Sequence, residues 1–178
     1  SDEMENQLGR DTHIIPHGID MEQFKPIDQE VAQGAVGWDP AVKHIIFPYD
    51  PSRAVKNHPL AESVVNKTST ILKQSVELHT VYEADHEDIP LYMNAADSLL
   101  LTSRREGFPN SVKEAMACNL PVVSTDVGGL RDRLEPVDNS YVCNSKKGLL
   151  NCLTDVLASD QRSNGREHVA DLSLDQMA

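Results

Sequence analysis

The run Arg104-Arg105-Glu106-Gly107-Phe108-Pro109-Asn110-Ser111-Val112-Lys113-Glu114 holds the residue types and spacing best suited to chemistry in this chain. It follows an apolar run and opens a helical pattern. Gly107 and Pro109 shape a tight approach, and Asn110 suits an N-cap. Free amides at the helix start, at the positive end of its dipole, make an anion pocket. Glu106 precedes those amides, and Glu114 follows them in the expected first turn. A carboxylate beside an anion pocket is electrostatically unfavourable unless it binds hydroxyls. Two carboxylates with an anion pocket between them suit a ligand that carries both phosphates and diols, as a nucleotide sugar does. From these residues alone a second reading stands beside this one: Glu114 complements the helix dipole and Glu106 is a solvated loop residue.

A second cluster is Asp50-Pro51-Ser52-Arg53-Ala54-Val55-Lys56-Asn57, which carries Arg53 and Lys56 just past an apolar run. The formal net charge is −12, from 28 acids against 16 bases. That balance excludes a broad nucleic-acid-binding face but leaves room for one small anion held by a local cluster of donors. His79, Thr80, Val81 and Tyr82 close another strand pattern. His13, His17, His44, His58, His86 and His168 show no metal-ligand spacing and read as structural or exposed. Cys118, Cys143 and Cys152 form no CxxC or Cys/His pattern, so they read as reduced thiols of a cytoplasmic protein. Neither a P-loop nor GxGxxG occurs, and no DxD-like metal pair stands in a plausible site.

The elements that must position these residues follow from periodicity. Apolar runs at His44–Phe47, Val76–Tyr82, Ser98–Leu101, Pro121–Thr125 and, more weakly, Ser140–Cys143 read as strands. Helical patterns cover His58–Lys73, Ile89–Ala96, Ser111–Cys118 and Leu149–Leu157. The alternation predicts βαβ units, and the continuous apolar strands predict a sheet covered on both faces. The fold class is therefore α/β, an open, doubly wound, mostly parallel Rossmann-like sheet. Ligands of such sheets bind beyond the carboxyl ends of the strands. That points to the loops Pro48–Asn57, Tyr82–Asp88 and Ser103–Asn110. Residues 1–28 read as a polar helix and a linker, residues 29–160 as the nucleotide-sugar-binding domain, and residues 161–178 as a polar C-terminal tail. No apolar run reaches the roughly 18 residues of a membrane span.

The Glu106–Glu114 segment resembles the E-x7-E signature of the family-4 (group 1) retaining glycosyltransferases of the GT-B fold. Other segments resemble that family in the same order. Ile15-Pro16-His17-Gly18-Ile19-Asp20, with Phe24 and Pro26, is similar to its interdomain linker, with His17 where Asn is usual. Asp97 to Ser103 is similar to the strand before the signature. Glu114-Ala115-Met116-Ala117 and Pro121-Val122-Val123 are similar to its E-A-M-A-x-G-x-P-V-V run, with Asn119 replacing Gly. Gly128-Gly129 is similar to the glycine pair that precedes a helix. The likeness runs from about Ile14 to Asn144.

The resemblance implies specific roles. Glu106 would face the transferred sugar as the catalytic residue. Gly107, Phe108 and Pro109 would line the sugar and phosphates, and Asn110 and Ser111 would offer amides to the diphosphate. Glu114 would take the ribose diol. The family's Gly-Arg after the first strand is missing: Pro51 stands at the Arg position and Arg53 lies two residues later, whereas Lys56 matches the family's Lys. Val81 and Tyr82 would meet the base. No cofactor or metal is implied, the donor being a nucleotide sugar, with a UDP-sugar the first candidate. The resemblance also implies an absent N-terminal acceptor-binding domain, so that this chain by itself is expected to be inactive and the acceptor is not legible. An isomerase half of the nucleotide-sugar 2-epimerase type and a non-catalytic donor-binding module are the alternatives. The parent protein would be cytoplasmic, reaching a membrane surface only through the absent domain.

Overall fold

The computed structural model describes residues 18–174. The helix expected in residues 1–12, and Ile15, Pro16 and His17 of the linker, lie outside them. Five strands form one sheet: β1 (Lys43–Phe47), β2 (Val76–Thr80), β3 (Ser98–Leu101), β4 (Val122–Thr125) and β5 (Tyr141–Cys143). Their spatial order is β2-β1-β3-β4-β5, and every pairing is parallel. The six α-helices among the described residues are α1 (Gln29–Val36), α2 (His58–Leu72), α3 (Ile89–Ala95), α4 (Asn110–Ala117), α5 (Leu130–Leu134) and α6 (Lys146–Ser159).

The apolar strands occupy the centre. Ile45, Ile46, Phe47, Leu99, Leu100, Leu101, Val122 and Val123 are all fully buried. Side chains of a strand alternate between faces, so both faces must be covered. Leu100 and Val123 pack with Val64 and Val65 of α2 and with Leu149 and Leu153 of α6. Leu99, Leu101 and Val122 pack with Met93 of α3, Ala115 and Met116 of α4 and Leu130 of α5.

The topology creates the site. The chain leaves β1 for β2 on one side and returns to β3 on the other. The loops that follow β1 and β3 therefore part, and a crevice opens between them at the carboxyl edge of the sheet.

Several bounds differ from those periodicity predicts. α1 carries too few apolar residues to be legible; Asp28 caps it by accepting from the Val31 amide, and Gly37 ends it at φ 74°. α6 begins at Lys146 rather than Leu149, because the Ser145 hydroxyl accepts from the Gly148 amide and so starts the helix earlier. β2 stops at Thr80, two residues short of Tyr82.

The polar stretch after Asp160 returns to the domain. Arg162 donates to the carbonyls of Ala96 (2.6 Å), Cys118 (3.1 Å) and Met93 (3.3 Å). Arg166 donates to Phe24 (2.6 Å), Met21 (2.8 Å) and Ala117 (3.0 Å). The two guanidinium groups thus satisfy orphan carbonyls at the C-terminal ends of α3 and α4, where the helix dipole favours a cation. Gly165 makes this approach possible, since a Cβ there would press on the Cα of Met116. Arg166→Ala should lower unfolding free energy by at least about 1.5–3 kcal/mol. Arg166→Lys should not restore it, because one ammonium cannot reach three carbonyls set apart for a planar fork. Urea denaturation of the three proteins checks this; a Lys variant as stable as the parent would count against it.

Candidate functional site

The loop after β1 carries Tyr49, Arg53 and Lys56, and the loop after β3 carries Glu106. The two loops are tied together. The Arg104 amide donates to the Val55 carbonyl (2.9 Å), and the Thr102 hydroxyl donates to the carbonyls of Lys56 (3.0 Å) and Asn57 (3.1 Å). The Lys56 ammonium reaches the Glu106 carboxylate at 2.5 Å, with side chains only 8% and 14% exposed. It also sits 3.5 Å from the centre of the Tyr49 ring, a cation–π contact. The Tyr49 hydroxyl lies 2.6 Å from Ser111 Oγ at the start of α4. Burial first, and the charges of Glu106 and Glu114 after it, push the Tyr49 phenol well above its ordinary value, while its bond to Ser111 acts the other way. Tyr49 is therefore neutral and polar in this cluster.

Two expectations for α4 are corrected. Asn110 is not the N-cap: Pro109 holds that position in extended conformation, and Asn110 is the first helical residue. Its side chain instead accepts from Lys113 Nζ at 3.2 Å. Glu114 is not in the first turn, which holds no acid. The helix dipole, which acts within the first turn, therefore does not explain Glu114. The amides of Asn110 and Ser111 make no hydrogen bond among the described residues, whereas those of Val112 and Lys113 reach the Pro109 carbonyl. The helix start thus keeps two donors for an anion. Gly128, at φ 59°, closes the back of this loop: a Cβ there would collide with the carbonyl oxygens of Glu106 and Gly107.

Glu114 lines a cavity of about 260 Å³ with His86, Asn110, Lys113, Asp20 and Phe24. His86 Nε2 stands 3.8 Å from its carboxylate. Burial raises the Glu114 pKa; His86 and Lys113 oppose this only in part. Lys113 is itself 3% exposed and lies 5.1 Å from the Phe108 ring centre. A larger cavity of about 510 Å³ lies farther along the carboxyl edge, between Ser103, Arg104, Asp126, Asn144 and Lys146.

The structure therefore brings Lys56, Glu106 and Ser111 into one cluster and puts Asn110 and Glu114 on the adjoining cavity. Gly107, Phe108 and Pro109 form the turn between them. Arg53 is exposed on the rim. Val81 is a core residue, 7% exposed, and the Tyr82 ring is 43% exposed; neither lines the cavity around Glu114, where the residue from that loop is His86. Sequence reasoning did not single out Tyr49, whose position two residues beyond β1 was the available signal. The sequence reading of His86 as structural or exposed agrees with its exposed ring; its place beside Glu114 is not legible there, because Glu114 lies in a different βα unit.

Comparison with known proteins gives a consistent picture. The sequence profile of the family described as "Glycosyl transferases group 1" matches residues 56–159, more than half of the chain. A lipopolysaccharide core biosynthesis mannosyltransferase of Rhizobium meliloti is 29% identical over 148 residues, covering 67% of this chain and 42% of the mannosyltransferase. The solved sucrose-phosphate synthase of Thermosynechococcus elongatus superposes with a TM-score of 0.67 at 22% identity, over 96% of this chain and 51% of the synthase. The HepE protein of Anabaena, solved in complex with UDP and glucose, superposes at 0.63 with 18% identity, over 89% of this chain and 51% of its own. The chain thus spans about half the length of these relatives.

The burial of Glu114 has a measurable consequence. Its pKa is raised in the folded state, so the ionised form is disfavoured by folding. The destabilisation is absent below the ordinary glutamate value of 4.5 and grows as pH rises through the folded-state value. Glu114→Gln should therefore melt higher than the parent at pH 7.5, and the difference should vanish near pH 4. Thermal melts at both pH values check this; a lower melting temperature at pH 7.5 would show the carboxylate to be stabilising instead.

Proposed function

The chain belongs to the group 1 glycosyl transferases, and from that premise we propose that residues 29–160 hold the nucleotide-sugar donor of a retaining hexosyltransferase, with UDP-sugar the first candidate. The observation that carries this reading is the cluster at the β1/β3 crevice, in which Lys56, Glu106 and the open amides of α4 stand together. A diphosphate seated on the amides of Asn110 and Ser111 would draw the Lys56 ammonium from Glu106. Glu106, released, would face the sugar hydroxyls on one side, and Glu114 would accept from the ribose diol in the cavity on the other. A buried carboxylate such as Glu114 is a strong acceptor for such a diol. His86, on the loop after β2, borders the space left for the base.

Transfer breaks the bond between the sugar's anomeric carbon and the diphosphate, whose oxygen keeps the electron pair, while that carbon bonds to the acceptor's nucleophilic atom and the acceptor's proton passes to the departing diphosphate. Lys56 and the helix amides would stabilise that developing charge, which gives the site a route that needs no metal. The acceptor half of the protein would come from a further domain. The complex of the Anabaena HepE protein with UDP and glucose supports this ligand class.

Calorimetric titration with UDP, with and without EDTA, tests the reading. Binding should be equal in both, and a strict Mg²⁺ requirement would overturn the metal-free route. Lys56→Ala should weaken UDP binding by about 1.5–3 kcal/mol, the range of a charge-assisted contact. Arg53→Ala, from the exposed rim, should cost less.

The two carboxylates should separate by ligand. Glu106→Gln should leave UDP binding unchanged or tighter, since it removes the anion that competes for Lys56, and should reduce turnover in the two-domain enzyme. Glu114→Gln should weaken both UDP and UDP-sugar. Equal losses for both variants with both ligands would dismiss the separate roles.

A further inference from the structure

The register of the edge strand gathers a second set of chemically capable side chains away from the donor cluster. His44 of β1 pairs with Glu77 of β2, and His79 lies two residues beyond Glu77. Paired residues and residues two apart share a face, so all three side chains project together. The helical and strand patterns of the sequence conceal this, because one ligand lies more than thirty positions before the other two.

Their donor atoms converge. His44 Nδ1 is 2.9 Å from His79 Nε2, and a Glu77 carboxylate oxygen is 3.7 Å from the same Nε2. All three donor atoms lie within 4.8 Å of one another. His44 Nε2 lies 2.9 Å from the Asp39 carbonyl oxygen. A carbonyl only accepts, so the neutral His44 ring carries its proton on Nε2 and turns the Nδ1 lone pair toward His79 and Glu77. An imidazole whose far nitrogen donates to a backbone carbonyl is the arrangement that orients a metal ligand. Trp38 stacks on both rings, with centroids 3.9 Å from His79 and 4.7 Å from His44, and so fixes their planes. His44 is buried, His79 half-buried and Glu77 exposed, which leaves an approach from solvent.

We propose that His44 Nδ1, His79 Nε2 and the Glu77 carboxylate form a binding site for a late first-row divalent transition-metal ion, completed by water. Imidazole with one carboxylate suits Zn²⁺, Ni²⁺ or Cu²⁺ and not a hard cation. Without metal, the Nε2 proton of His79 bridges to His44 Nδ1. On binding, that proton moves to Nδ1 of His79 and the ring stays neutral. The ion clasps the edge strand β2 to β1. The site shares no residue with the donor cluster and stands whether or not the donor reading does.

Trp38 is the only tryptophan of the chain and reports directly on both histidines. Titration of the untagged protein with Ni²⁺, followed by tryptophan fluorescence, should give saturable one-site quenching, with no response to Mg²⁺. Loss of outer partners of a metal ligand weakens affinity roughly 10–100-fold, so loss of a direct ligand in His79→Gln should weaken it by more than about 100-fold. Glu77→Gln, at an exposed position, should weaken it by about tenfold. Glu77→Gln should melt like the parent in EDTA, and saturating Ni²⁺ should raise the melting temperature of the parent but not that of His79→Gln. Quenching that does not saturate, or a midpoint unchanged in His79→Gln, would overturn the proposal.

Discussion

The ion pair of Lys56 with Glu106 joins two loops that the sheet topology drives apart. It is almost fully enclosed, so neither charge can be left alone without a large desolvation penalty. The bond from the Arg104 amide to the Val55 carbonyl and those from the Thr102 hydroxyl to the carbonyls of Lys56 and Asn57 hold the same two loops. An anion arriving at the α4 amides meets a lysine already placed, whose present partner is a carboxylate. The exchange of one anionic partner for another keeps the ammonium compensated throughout.

The polarity of α4 follows from its two ends. Arg162 and Arg166 occupy carbonyls at its C-terminal end, while two amides at its N-terminal end have no partner among the described residues. The helix is therefore anchored by its negative pole and presents its positive pole to the crevice. Gly128 brings the loop after β4 against the carbonyls of Glu106 and Gly107, so three successive βα loops converge on this helix start. Glu114, set in the second turn, is largely taken out of water, and His86 and Lys113 offset its burial only in part. A group held at the expense of stability in a cavity is a recurrent sign of a binding role.

Much of this was legible in the amino-acid sequence. The apolar runs before Thr102 and before the Gly128 pair predict buried parallel strands, and alternation with helices predicts the doubly wound sheet. Glu106, Ser111, Glu114 and Lys56 stand out because carboxylates and bases beside a helix start are few and local. The helix caps were less legible: Pro109 displaced Asn110 as the N-cap, and Ser145 moved the start of α6, because capping depends on backbone geometry as well as residue type.

What the sequence determined by itself is whatever depends on neighbours along the chain: strand and helix periodicity, the overall negative charge, and the spacing of Glu106 and Glu114. What only the tertiary structure decided depends on residues far apart in the chain. Tyr49 bonded to Ser111, His86 facing Glu114, the reach of Arg166 back to Phe24 and the meeting of His44 with His79 all join segments far apart in the chain. The physical reason is that strand register and helix packing convert sequence distance into contact. A side chain's partners, burial and titration are properties of that contact and not of the residue type.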